Sequence, residues 1–172
     1  LQNPEVRIAL DLATDRNKII KHVLNDHALA ITSPIYPDIE GFEVELATST
    51  KFSLEQAKKI LDEAGWDLDS QGIRSKKIGS DQLRLEFEIV VPEIDFLVKT
   101  VDIIAADWLT LGVKLTPLNL SPSEVTNEII RTRNYQMIIF GNILKNNPDI
   151  FSFWHSSERF HPGLNLALYD NK

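Results

Sequence analysis

Residues 83–140 switch between two hydrophobic periods, and this switching limits the fold more than any other feature of the chain. Leu83, Leu85, Phe87, Ile89 and Val91 recur at every second position, separated by Arg84, Glu86, Glu88 and Val90. That pattern predicts a strand with one buried and one solvated face, ended by Pro92. Ile94, Leu97, Val98, Val101, Ala105 and Trp108 then mark the stripe of a long helix. Gly112 follows, the residue type suited to a left-handed C-cap. Val113 to Leu120 reads as a second strand. Pro117 lies inside it and has no N–H for a ladder, so this strand belongs at an edge or a bulge. Ser121-Pro122-Ser123-Glu124 has the form of a capping box and opens a helix through about Arg131. Tyr135 to Phe140 is a third strand, and its apolar run Met137 to Phe140 reads as fully buried. Strand, helix, strand, helix, strand means two crossovers, hence an α/β fold with largely parallel neighbours.

The first half is more helical. Asn3-Pro4 reads as an N-cap with proline in the first turn, ahead of Val6, Ala9, Leu10 and Ala13 at helical spacing. On that helix Arg7 and Asp11 are four apart and are expected to pair. Asp15 can cap a second helix carrying Ile19, Ile20 and Val23. Residues 31–52 have no sustained period and are punctuated by Pro34, Pro37 and Gly41, which predicts a long loop with one short strand at Phe42 to Leu46. Ser53-Leu54-Glu55-Gln56 fits a second capping box, and Leu54, Ala57, Leu61 and Ala64 form the stripe behind it. Gly65 is placed as a C-cap, with Trp66 folding back on the last turn. Asp67 to Asp81 is polar and reads as a hairpin or loop.

Composition removes several classes of function. Lys and Arg total 18 against 25 Asp and Glu, a net charge of −7 with no basic run, so nucleic acid and anionic membrane surfaces are not expected partners. No stretch approaches the roughly 18 apolar residues of a membrane span. With no cysteine, thiolate metal sites and cysteine nucleophiles are excluded. Glycines are scattered, without a phosphate loop or a nucleophile elbow. Residue 1 is leucine, and Met137 is the single methionine. We therefore expect a piece of a longer protein.

After Phe140 the chain turns polar at Gly141-Asn142 and Lys145-Asn146-Asn147-Pro148-Asp149, then resumes as the aromatic segment Phe151, Phe153 and Trp154. A loop leaving the end of a buried strand is where open α/β sheets place a binding edge. Asp149, His155 and His161 allow an alternative, a small metal-dependent α/β hydrolase, although their spacing is not that of a helical ligand pair.

Several segments, taken in order, carry a resemblance. Arg7-Ile8-Ala9-Leu10 with Ala13-Thr14-Asp15-Arg16 and Ile19-Ile20 is the first. Thr32-Ser33-Pro34-Ile35-Tyr36-Pro37 comes next, then Ser53 to Leu61 running into Glu63-Ala64-Gly65-Trp66. Gly72-Ile73-Arg74, Gly112-Val113, Asn147-Pro148-Asp149 and then Phe153 with His155-Ser156-Ser157 complete the series. Together they resemble the extracellular solute-binding proteins of family 5, the peptide- and nickel-type receptors of ABC importers.

The resemblance implies a periplasmic-binding-protein-like lobe, three-layer, with a mixed, largely parallel sheet. Residues 1–172 would form one α/β domain, the second lobe of a two-lobed protein whose first lobe and returning tail lie outside this chain. It implies a non-enzymatic receptor without a cofactor, in the periplasm or at the cell exterior, with a lipid-anchored full-length protein among the expectations. Its partners would be a small solute, oligopeptide or other, and the transmembrane subunits of an ABC permease. The cleft would be lined by Gly141, Asn142, Ile143, Leu144 and Asn146, with Ser33 and Trp154. In peptide-binding members an acidic residue in this loop holds the ligand's free amine. Leu144 falls at that position here, and no Asp or Glu lies between Phe140 and Pro148.

Overall fold

The computed structural model describes residues 3–31, 51–142 and 150–170. Helix α1 (Pro4–Leu12) starts at Asn3, whose side chain accepts from the amides of Glu5 and Val6. Helix α2 (Arg16–Val23) is capped by Asp15. Asp11 pairs with Arg16, across the turn between these helices. Helix α3 (Leu54–Glu63) is capped by the Ser53 hydroxyl, which accepts from Gln56 N. Only this half of the expected capping box forms among the described residues. Gly65 takes the left-handed conformation at φ +74°. Trp66 N returns to Leu61 O at 2.9 Å, and the indole is buried at 4 % exposure. The predicted strand at Phe42 to Leu46 lies outside the described residues.

Two sheets follow. Strands β1 (Asp67–Leu68), β2 (Arg74–Ile78) and β3 (Asp81–Arg84) form an antiparallel sheet in chain order. Strands β4 (Glu86–Pro92), β5 (Lys114–Leu120) and β6 (Met137–Ile138) form a second sheet in the order β5-β4-β6, and both of its pairings are parallel. The antiparallel pairing implied by a mixed sheet is thus present but housed in a sheet of its own.

Residues 83–91 are accordingly not one strand. The chain bends at Leu85, whose N–H donates to Arg74 O in the antiparallel sheet. Its carbonyl accepts from Lys114 N beside the parallel one. Leu83, expected inside, is 47 % exposed. Beyond the bend one-sided burial fails in the other direction, because Ile89, Val90 and Val91 are all buried.

Both faces of β4 are covered, for a topological reason. The chain steps from β4 to β5 on one side and from β5 back past β4 to β6 on the other. Right-handed crossovers running in opposite directions put their connecting helices on opposite faces. Helix α4 (Asp95–Leu111) lies on the first face. There Ile89 and Val91 join Leu97, Val101, Trp108 and Leu111 in the main core, with α1 and α3 behind them. On the other face the helix that begins at α5 (Pro122–Glu124) and widens into the π-helical turn Val125–Ile130 packs against β4. Val90 and Val125, at 2 % and 1 % exposure, are buried outside the main core, as strand alternation requires. The result is the three-layer arrangement expected of the lobe. Pro117 sits on the edge strand β5, opposite Ile89.

Strand β6 corrects one expectation. The run Met137 to Phe140 is half-buried, with Phe140 at 45 % exposure. Met137 and Ile138 are in register with Ile89 and Val90, Ile139 N still donates to Val90 O at 3.1 Å, and among the described residues β6 is an edge with Phe140 beyond it.

Candidate functional site

The strand order reverses at β4, so the connections leaving β4 and β5 diverge at the carboxyl ends of the strands. A crevice must open between them. There the structure has a cavity of about 360 Å³. One side is the entry to α4, with Pro92, Ile94, Phe96 and Leu97; the opposite side is Pro122, Val125 and Thr126. The floor is the exit from β6, namely Phe140, Gly141 and Asn142.

Local chemistry fixes these walls. Glu93 N donates to Leu120 O at 2.9 Å, closing the two strand ends together. On the α4 side, Ile94 sits at the N-cap without a side-chain cap bond, and Asp95 in the first turn pairs with Lys99 at 2.7 Å. On the α5 side the capping box is complete. The Ser121 hydroxyl accepts from Glu124 N, and the Glu124 carboxylate accepts from Ser121 N at 2.9 Å. The wall then changes to a π-helical turn at Val125, an arrangement that recurs at functional sites.

The Ser121 hydroxyl, and after it the Ser121 backbone N–H, hold the Glu124 carboxyl below the usual glutamate range, against a smaller opposing effect of desolvation. A carboxyl depressed in the folded state stabilises it fully above the unfolded pKa, and that contribution fades as pH falls through the folded value. We expect an NMR titration to find Glu124 ionising at lower pH than an ordinary glutamate. Ser121→Ala removes the hydroxyl but keeps the backbone N–H, so it should raise the Glu124 pKa part of the way to the ordinary range, and an unmoved titration would disprove the assignment.

Two of the expected site residues, Gly141 and Asn142, line this cavity. Among the described residues a Cβ built on Gly141 meets no atom within 4 Å. Ile143, Leu144, Asn146 and Ser33 lie outside the described residues. Trp154 ends the short helix α6 (Phe151–Trp154) at 42 % exposure and does not line the cavity.

Ile94, Phe96, Val125 and Thr126 also line the cavity and were not among the residues expected there. The expected stripe of α4 includes Ile94, which is 39 % exposed because it precedes the first helical turn. The available signal was position: residues directly after a parallel strand stand at its carboxyl edge.

The segment beyond the loop is anchored to the π-helical layer by a buried cation. Arg133, at 8 % exposure, donates from Nε to Arg159 O at 2.8 Å, and from its terminal nitrogens to the carbonyls of Ile130 and Gly163. Tyr135 donates its hydroxyl to Leu166 O at 2.5 Å. Burial pushes this phenol above its ordinary pKa, and the Arg133 charge opposes that only in part.

The metal-dependent hydrolase finds no support. His155 stacks on Phe151 with centroids 4.2 Å apart, and its Nδ1 accepts from Ser157 N at 3.2 Å. That is a turn-capping role. Asp149 lies outside the described residues, and among the described residues no three His, Asp or Glu side chains gather to hold an ion. No helix among the described residues is long and apolar enough to cross a membrane.

A family model, "Bacterial extracellular solute-binding proteins, family 5 Middle", matches residues 1–160. Compared by sequence with curated proteins, the chain matches none. Among solved structures it is similar to the oligopeptide-binding protein AppA from Bacillus subtilis, crystallised with a nonapeptide. That match has 22 % identity and a TM-score of 0.86, and covers 99 % of this chain and 34 % of AppA. NikZ from Campylobacter jejuni, in complex with Ni(L-His), matches at 21 % identity and a TM-score of 0.75, over 99 % of this chain and 34 % of NikZ. The oligopeptide-binding protein TM1223 from Thermotoga maritima, with mannohexaose bound, matches at 21 % identity and a TM-score of 0.75, over 98 % of this chain and 33 % of that one. The chain therefore spans about a third of the length of these solved proteins.

Proposed function

The chain belongs to the bacterial extracellular solute-binding proteins of family 5, and from that premise we propose that it is the second lobe of a two-lobed receptor. The receptor captures a peptide or other small solute outside the cytoplasm and delivers it to an ABC permease. The observation that carries this reading is the cavity at the reversal of strand order, open where a facing lobe would close it. Gly141 and Asn142 line it, and Ile143, Leu144 and Asn146 continue the same loop in sequence. Asn142 and Asn146 supply amide donors and acceptors, and Ser33 and Trp154 are proposed as further cleft residues from the family resemblance alone. No covalent step is involved. Solute contacts to both lobes stabilise the closed population, so that binding drives closure by hinge motion.

One wall buries too little of a solute to bind it tightly. Calorimetry of the chain of residues 1–172 with oligopeptides, nickel–histidine and mannohexaose should find nothing tighter than millimolar. The full-length protein should bind one of these classes at micromolar concentration or better. Micromolar binding by the chain alone would sink the half-site reading, and a full-length protein that takes up none of the three would sink the receptor.

A further inference from the structure

We propose that Arg133 is a positioning residue for the solute site: its guanidinium ties together the chain before and after the loop between β6 and α6, so the cavity floor is set before a solute arrives. This rests on the receptor reading and deepens it. The floor, Phe140 to Asn142, follows a strand of two residues at the edge of the described sheet. So short a strand fixes where the chain leaves the sheet but not the course it takes afterwards.

Arg133 and Tyr135 precede β6, and their partners follow α6. The guanidinium donates to Arg159 O and Gly163 O, and the phenol donates to Leu166 O. A further bond, to Ile130 O, fastens the same guanidinium to the end of the π-helical turn whose first residues, Val125 and Thr126, line the cavity. One side chain thus joins the cavity wall, the approach to the floor and the returning chain.

The backbone and the chemistry of Arg133 both favour positioning over plain stability. Its φ of +57° lies in the left-handed region, where a non-glycine residue is held only by its surroundings. It is buried, and the three groups it meets are all backbone carbonyls. A buried cation is a costly fastening, and an apolar contact of the same size would serve stability as well or better. The planar fork supplies direction instead, because its donors fix angle as well as distance. Gly163 fits the same reading: a Cβ there would lie 2.3 Å from Glu158 O, so the turn that carries this carbonyl closes tightly.

A loop held at its base binds better because fewer molecules have an unformed site. The kinetics separate this from contact. A residue that touches the solute changes mainly dissociation, whereas one that sets the population of formed sites changes association.

The test uses the full-length receptor, with an oligopeptide, nickel–histidine and mannohexaose as probes in stopped-flow kinetics, and hydrogen exchange without solute. Arg133→Lys keeps the charge and loses the fork. For the probe that the parent binds, association should slow about tenfold, as if about one molecule in ten kept a formed floor, with dissociation within about twofold. Tyr135→Phe, which loses one bond, should slow association about threefold. In both variants amides of Gly141, Asn142 and residues 151–158 should exchange faster, while β4 and α4 keep their protection. Arg74→Lys, at the opposite end of α4 from the cavity, should leave both rate constants unchanged.

Faster dissociation in place of slower association would make Arg133 a solute contact and overturn the proposal. Equal slowing in Arg74→Lys would reduce it to a matter of stability. Unchanged exchange at Gly141 and Asn142 would also overturn it. Should Arg133→Lys fail to fold, the Tyr135→Phe kinetics decide. If the parent binds a probe and the variants associate at its rate, the receptor stands and the role of Arg133 falls. If the parent binds none of the three, both readings fall.

Discussion

Replacing Arg74 by methionine should destabilise the fold by about 3–5 kcal/mol, read as a lower urea midpoint at unchanged slope. Arg74 is 3 % exposed and stands where two helices end. Its Nε donates to Leu111 O at 2.8 Å, at the end of α4. One terminal nitrogen donates to Asp62 in the last turn of α3 and to Trp66 O just past that helix, each at 2.6 Å. Carbonyls in the last turn of a helix have no intrahelical partner, and a cation there also meets the negative end of the helix dipole. Methionine fills much of the volume but strands two buried carbonyls. Asp62, whose side chain is 65 % exposed, simply returns to water and contributes little to the loss. Arg74→Lys should recover only part of the stability, because an ammonium cannot present the fork that reaches both helix ends. A lysine variant as stable as the parent would disprove the two-ended role. Gly112 depends on the same junction: at φ +86°, an added Cβ would come within 2.6 Å of Leu68 Cδ2 and 3.0 Å of Arg74 Cγ.

Asn165→Ala should release the segment 150–170 while leaving the core intact. Asn165 is fully buried. Its amide nitrogen shares its two hydrogens among the carbonyls of Trp154, His155 and Tyr169, at 3.3, 3.1 and 3.0 Å. Its oxygen accepts from Tyr169 N at 3.1 Å. One side chain thus substitutes for secondary structure across a stretch whose large side chains, Phe151, Trp154, Phe160 and Tyr169, are exposed. Alanine removes these bonds together, and we expect about 2–4 kcal/mol of lost local stability. Hydrogen exchange is the measurement. Amides in residues 150–170 should lose protection while those of β4 and α4 keep theirs, and unchanged protection at Tyr169 N would refute the role.

The helix ends are readable in the sequence because their signals are local. Asn3, Asp15, Ser53 and Ser121 cap helices where their side chains suggested, and Gly65 and Gly112 end them with positive φ. Caps need only the next three residues to act. Arg74 and Asn165 carried no such signal. A buried arginine or asparagine looks like any surface one until the groups it satisfies, 37 residues away at Leu111 in one case, are brought beside it. The split of residues 83–91 was hidden for the same reason. Alternation is continuous through Leu85, and only the pairing of β3 with β2, and of β4 with β5, places the two halves in different sheets.

By itself the sequence determined the class: alternating periods demand crossovers, crossovers demand a parallel sheet, and the ordered segments point to the family that the comparison bears out. It also determined that Gly141 and Asn142 follow a strand that enters the sheet. Only the tertiary structure decided which strand is central. With β4 between β5 and β6, the two connections must leave toward opposite faces, which buries Val90 against the second layer and opens the cavity. That opening brings Phe96 and Val125, 29 positions apart in sequence, into one apolar wall. Strand order, not local period, sets such a distance.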